Sequence, residues 1–275
     1  MITDIDQKQF ESVIYAATNA TADVYNACLP YMENAEDFIK DRLLDEGLAA
    51  LSTDEKLSSL VRKFICESGF LLAIPHLDLV LTNTGFGVVS NDHVAPASRE
   101  RVDALMEALR LAYDRTLCDI TRHLFTVEGW GKNPRAKHRV THVLYHIDDA
   151  ERLMPIRSLT HSTWMSAVQD IYDAYFHLCR PLGDSFVDGI RDKMMCNAMT
   201  EEEEAACEKL REVIAYNAAH KDDKHLVRVM TNEAVEWFDQ RADLYPGYKD
   251  GSPYKSRHYE EQTNREKRKS FFFGC

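Results

Sequence analysis

From Val102 to Leu124 the large apolar side chains of this 275-residue chain stand at Val102, Leu105, Met106, Leu109, Tyr113, Leu117, Ile120 and Leu124. Steps of three and four residues bring side chains to one side only on an α-helix. A stripe of that length must be covered by other elements, and the chain supplies them. Phe10, Val13, Ile14 and Ala17 repeat the spacing. So do Leu57, Leu60, Val61, Phe64 and Ile65, and later Ala206, Leu210, Val213 and Ile214. The expected fold class is mainly α.

Residues 6–46 read as two helices, with a kink or short turn near Pro30. Ser52-Thr53-Asp54-Glu55 has the form of a capping box, Ser52 capping and Glu55 reaching back. Thr200 to Glu203 repeats that form, with carboxylates where the helix dipole favours them. Ser98 is placed to cap the helix that carries the long stripe. Further helices are expected at about 163–179, 182–196 and 230–243. The period changes to two at Leu77, Leu79 and Leu81, ahead of the turn formers Thr82-Asn83-Thr84-Gly85 and a second run through Phe86, Val88 and Val89. This predicts a β-hairpin near 77–89. Arg139–Ile147 also alternates and predicts a strand.

Gly129-Trp130-Gly131-Lys132-Asn133-Pro134 breaks the helical pattern and marks an expected boundary. It divides a helical lobe at 1–128 from a second at 135–245, followed by an extended tail at 246–275. The lobes look related. With residues 25–44 laid on 176–195, Cys28 meets Cys179, Pro30 meets Pro181, Asp37 meets Asp188, Ile39 meets Ile190 and Asp41 meets Asp192. An internal duplication points to a modular architecture rather than a single catalytic cleft.

Hydrophobic residues make up 45% and charged ones 28%, the balance of a folded soluble protein. A formal net charge of −12 repels nucleic acid and anionic membrane, so neither is an expected partner. Seven cysteines stand singly, with no Cys-x-x-Cys, which suits buried free thiols in a reducing compartment. The acidic opening lacks the form of a signal peptide, and no apolar run reaches the ~18 residues of a membrane span. Cytosol is the expected location.

Few residues suggest chemistry. His138, His142 and His146 could share one face and hold a transition metal. On a strand, however, residues four apart lie about 13 Å apart, and no H-E-x-x-H pattern is present. A row of histidines without metal is the simpler account, and no cofactor is expected. Gly85-Phe86-Gly87 lacks the rest of a phosphate loop and reads as a turn. Asp37, Asp41, Asp188 and Asp192 suit surface pairing with Lys40, Arg42, Arg191 and Lys193. No nucleophile motif appears, so the chain does not read as an enzyme.

The tail is basic and aromatic. Lys267, Arg268 and Lys269 precede Phe271, Phe272 and Phe273. Each phenylalanine left in water forgoes roughly 1.5–3 kcal/mol of burial. The expected role is an interaction arm, anchored by its rings on this subunit or a neighbour.

Residues 77–105, LDLVLTNTGFGVVSNDHVAPASRERVDAL, resemble a segment of an uncharacterised family encoded in tailed phages and prophages of gut Bacteroidales. Tyr145-His146-Ile147-Asp148-Asp149-Ala150 to Ser158, the run Cys179-Arg180-Pro181-Leu182-Gly183 and the closing Arg268-Lys269-Ser270-Phe271-Phe272-Phe273-Gly274 are similar to later parts of it. The resemblance implies virion morphogenesis, in the manner of head–tail connector or head-completion proteins. The partners so implied are further copies of the chain in a ring-like homo-oligomer, with portal or tail components, in the host cytoplasm and then the virion. Another assembly factor or scaffold is the alternative, and a helical metal-dependent enzyme resting on the three histidines is a third.

Overall fold

Most helices of this chain begin at a residue that satisfies the free backbone N–H groups of a first turn. The computed structural model describes residues 5–17, 23–45, 47–77, 79–82, 85–88, 98–156 and 158–259. Asp6 opens α1 (Gln7–Val13) through a capping box with Gln9. Asp23 caps α2 (Val24–Ile39), which passes through Pro30 and ends in a π-helical turn, Lys40–Leu44. A short α3 (Gly47–Ala50) leads to α4 (Glu55–Leu77). Ser52 does not cap α4: its Oγ donates back to the Ala49 carbonyl, and Asp54 accepts from the Leu57 N–H at 2.9 Å. The cap has slipped by two residues because Asp54 is also held by His123, 2.6 Å away.

Strands β1 (Leu79–Thr82) and β2 (Gly85–Val88) pair antiparallel, Leu79 opposite Val88 and Thr82 opposite Gly85. Gly85-Phe86-Gly87 thus belongs to a strand. The long stripe forms α5 (Arg99–Leu124), with Ser98 at its cap position but making no side-chain cap bond. α2 packs on α4 and α4 on α5.

The strand expected at 139–147 does not form. Asn133 accepts from the Arg135 N–H and Pro134 takes the first helical position, so Pro134–Arg139 becomes α6. Val140, Val143, Leu144 and Ile147 are all fully buried, a spacing of three, one and three rather than two. Among the described residues no strand pairs with the segment. Instead Arg191 donates to the Thr141 carbonyl at 3.3 Å and Arg211 to that of Val143 at 3.0 Å. Side chains thus supply the bonds that a sheet would have given. His146 then caps α7 (Ile147–Leu153).

Thr160 opens α8 (His161–Leu182), Gly183 separates it from α9 (Asp184–Met195), and the expected Thr200–Glu203 capping box opens α10 (Glu201–Ala219). α11 (Lys224–Asp239) follows. α10 packs against α7, α8, α9 and α11. Residues 246–257, expected as extended tail, are helical: α12 (Pro246–Lys249) and α13 (Ser252–Arg257). Tyr248 is the reason. It is fully buried among Phe186, Phe238 and Tyr254, and its hydroxyl donates to Asp239 at 2.5 Å.

The two stretches that align in sequence fold differently. Residues 25–44 form one helix and its π-helical extension, whereas 176–195 span the end of α8 and all of α9. Gly183 has φ +98°, open to glycine at little cost, and breaks the second stretch where buried Met32 continues the first.

One contiguous cluster of buried side chains extends from Ile5 to Tyr248. The break at 129–134 lies within it. Trp130 is 1% exposed and donates from Nε1 to the Leu43 carbonyl at 2.7 Å, closing the end of the π-helical turn. Gly131 lies so close to α9 that a Cβ there would stand 2.3 Å from the Met195 carbonyl oxygen. The segment therefore joins the first helices to α9.

Candidate functional site

The described surface holds a cavity of about 400 Å³ where α5, the irregular 140–145 run and the first turns of α8 meet. α5 contributes Tyr113, Asp114, Leu117 and Cys118. The end of α6 and the run after it contribute Arg139 and His142; α8 contributes His161, Trp164 and Val168. Phe38 of α2 and Met165 stand at its edge, 43% and 51% exposed. The helices fix this arrangement: Tyr113 and Asp114 sit three to four residues before Leu117 and Cys118, so all four face the same way.

Two ionisable side chains, Asp114 and His142, are buried here, with Thr121 beside them. The Asp114 carboxylate and His161 Nδ1 are 2.6 Å apart. Burial pushes the Asp114 carboxyl above the ordinary range, more than its bond to His161 and the nearby Arg139 pull it down. His142 is 5% exposed, and its Nδ1 has no hydrogen-bond partner among the described residues. Burial, with Arg191 nearby, lowers its pKa to about 4, so the ring is neutral near neutral pH. Cys118 is inert: burial pushes its thiol up to about 11, and Sγ points to the Tyr145 carbonyl 3.7 Å away. His161 spends its bond on Asp114, and no hydroxyl or thiol among the described residues is bonded to His142 or His161. The arrangement can bind; it lacks the nucleophile–base contact of covalent catalysis.

The three histidines of the sequence do not converge. His138 is exposed on α6, beside Arg42, Arg135 and Arg139. His142 lines the cavity. His146 is fully buried, accepts at Nδ1 from the Asp148 N–H, and presents Nε2 to Asp119 at 3.2 Å. Asp119, His146 and Asp148 bring ligand atoms within 4.8 Å of one another, close enough for a cation. Their bonds are nevertheless those of a helix cap. Arg115 pairs with Asp148, Arg122 with Asp149, and burial followed by Arg122 lowers the His146 pKa.

Of the paired carboxylates, Asp188 accepts from the Tyr175 hydroxyl at 2.7 Å and from Arg191 at 2.8 Å. Asp192 is bonded to Lys137 at 2.5 Å and Arg191 at 2.9 Å. Asp37 and Asp41 lie exposed at the far end of α2, and Lys193 pairs instead with Glu203. Lys267, Arg268, Lys269, Phe271, Phe272 and Phe273 lie outside the described residues.

Asp114, His161, Trp164 and Arg139 escaped sequence reasoning. Asp114 had a signal, since it stands on the buried side of α5 three residues before Leu117, where a carboxylate needs a partner. Nothing local marked His161 as that partner, 47 residues on.

Residues 18–140 match the model of a family described as a family of unknown function (DUF6712). The match covers less than half of the chain. It takes in the α5 wall of the cavity and Arg139, but not the α8 wall. No curated protein and no solved structure matches the chain.

Proposed function

We propose that this chain works by protein–protein assembly, as a structural subunit of a phage or prophage virion at the head–tail junction. The observation behind this reading is an uncovered apolar ridge on α8. Met165, Tyr172 and Phe176 are 51%, 46% and 53% exposed. They lie seven and then four residues apart, hence on one face. Exposed side chains aligned on one element mark an interaction surface more often than single scattered ones do. The ridge is bordered by Asp170 and Asp173 and by Arg180, which sits over the Phe176 ring at 5.4 Å. A border of both signs suits contact with another copy of the same chain. The phage-family resemblance supplies the setting, with portal and tail proteins as the further partners. No helix among the described residues is long and apolar enough to cross a membrane.

Light scattering and negative-stain microscopy of the purified chain test this. Ring-like oligomers are expected, and Met165→Ser with Phe176→Ser should shift them towards monomer. A wild-type chain that stays monomeric at high concentration refutes the reading.

A further inference from the structure

We infer that two copies of this chain pair face to face, the α8 ridge of each copy seated in a groove that α2, α4 and α5 form on the other. The pairing rests on the assembly reading above and names the surface that receives the ridge.

Ala35 and Phe38 of α2, Leu71 and Leu72 of α4, and Arg110 and Tyr113 of α5 wall a groove of about 410 Å³. Phe38 and Leu72 are 43% and 47% exposed, so an occupant can touch both. Phe38 is held upright by stacking on Phe64, ring centres 6.2 Å apart, which leaves the wall formed before anything docks. Groove and ridge adjoin, because Phe38 also stands with Met165 at the edge of the cavity between α5 and α8. Leu72, Phe38, Met165, Tyr172 and Phe176 therefore make one strip, concave in its first part and raised in its second. A two-fold rotation lays each part on the other part of a second copy, as an isologous contact requires.

The area suits a second copy. With about half of the 150–250 Å² of each ring still open, the strip exposes on the order of 450 Å² of apolar surface. That equals the apolar share, roughly 57%, of the ~800 Å² that each partner gives to a stable interface. The charges suit it as well. On the ridge side, Asp173 accepts from Gln169 at 3.2 Å while Lys221 pairs with Asp170 instead. Arg180 lies over Phe176, and Asp37 is exposed beside Phe38. None of Asp173, Arg180 and Asp37 makes an ion pair among the described residues. Arg110 on the groove wall has Glu107 at 3.9 Å, and that carboxylate also accepts from the Ser162 N–H at 3.0 Å. Each part of the strip thus carries a carboxylate and a guanidinium to meet the opposite signs on the other part.

Sedimentation of the full chain and of two variants tests the pairing. Leu72→Ser alters the groove, and Met165→Ser with Phe176→Ser alters the ridge; all three positions are about half exposed, so the core stays intact. Each variant alone should pair at least tenfold more weakly than wild type. In an equimolar mixture, the sound ridge of one variant meets the sound groove of the other. Pairs should therefore return, and their return shows both variants to be folded. Leu244→Ser, at an exposed leucine off the strip, should leave association unchanged. If the ridge variant dissociates while Leu72→Ser associates like wild type, ridge meets ridge, and the pairing is overturned while the assembly reading stands. The pairing is overturned in the same way if both variants keep the wild-type circular dichroism and their mixture stays monomeric. A wild type that is monomeric at high concentration overturns both.

Discussion

Replacing His142 with phenylalanine should flatten the acid side of the stability profile. The imidazole is 5% exposed, and burial with Arg191 nearby lowers its folded pKa to about 4. In the unfolded chain it titrates near the ordinary imidazole value of 6.5. The unfolded state therefore binds the proton first, and stability is lost as the pH falls from 6.5 towards 4. Integrating over that window, between roughly pH 7 and pH 4.5 this one group costs about 2.4 kcal/mol. Carboxylates titrate over the same range, so the comparison between wild type and His142→Phe is what isolates the ring. Urea denaturation at the two pH values should show the wild type losing about 2 kcal/mol more than the variant. Phenylalanine keeps a planar ring, its extra atom directed at the cavity edge, and removes the unpartnered Nδ1, so near neutral pH the variant should be about as stable as wild type. Parallel losses in both proteins would mean that the ring is not buried in this way, and the cavity wall described above would be wrong.

Gly131→Ala should destabilise by about 1–3 kcal/mol, because its Cβ would meet the Met195 carbonyl at 2.3 Å and backbone cannot yield as a side chain can. Thermal unfolding checks this, and an unchanged midpoint would show that the 129–134 segment is not clamped to α9. Thr200→Ala should cost about 1 kcal/mol through loss of the α10 capping box, read as a lower urea midpoint at constant slope.

The helices were legible because their signals are local. The α5 stripe, the Thr200 capping box and the pair α8 and α9 each rest on residues within a turn or two of one another. The 139–147 run misled because its apolar residues serve a buried irregular path, with Arg191 and Arg211 satisfying carbonyls from helices far along the chain. Alternation cannot announce such partners. The α4 cap moved from Ser52 to Asp54 for the same kind of reason, since His123 lies 69 residues away. The candidate site was least visible. His142 stood out only as one of three histidines, and the structure parts it from the other two and sets it beside Asp114, His161 and Trp164.

By itself the order of residues determined that the chain is mainly helical and where several helices begin, since period and capping act over one or two turns. Tertiary structure alone decided that Trp130 seals the π-helical turn, that Tyr248 draws residues 246–257 into helical packing, and that α5 and α8 enclose a cavity with an unpartnered imidazole. Each of those depends on contacts between residues distant in the chain, whose free energy comes from burial and desolvation at the meeting surface, and neither exists until the elements have packed.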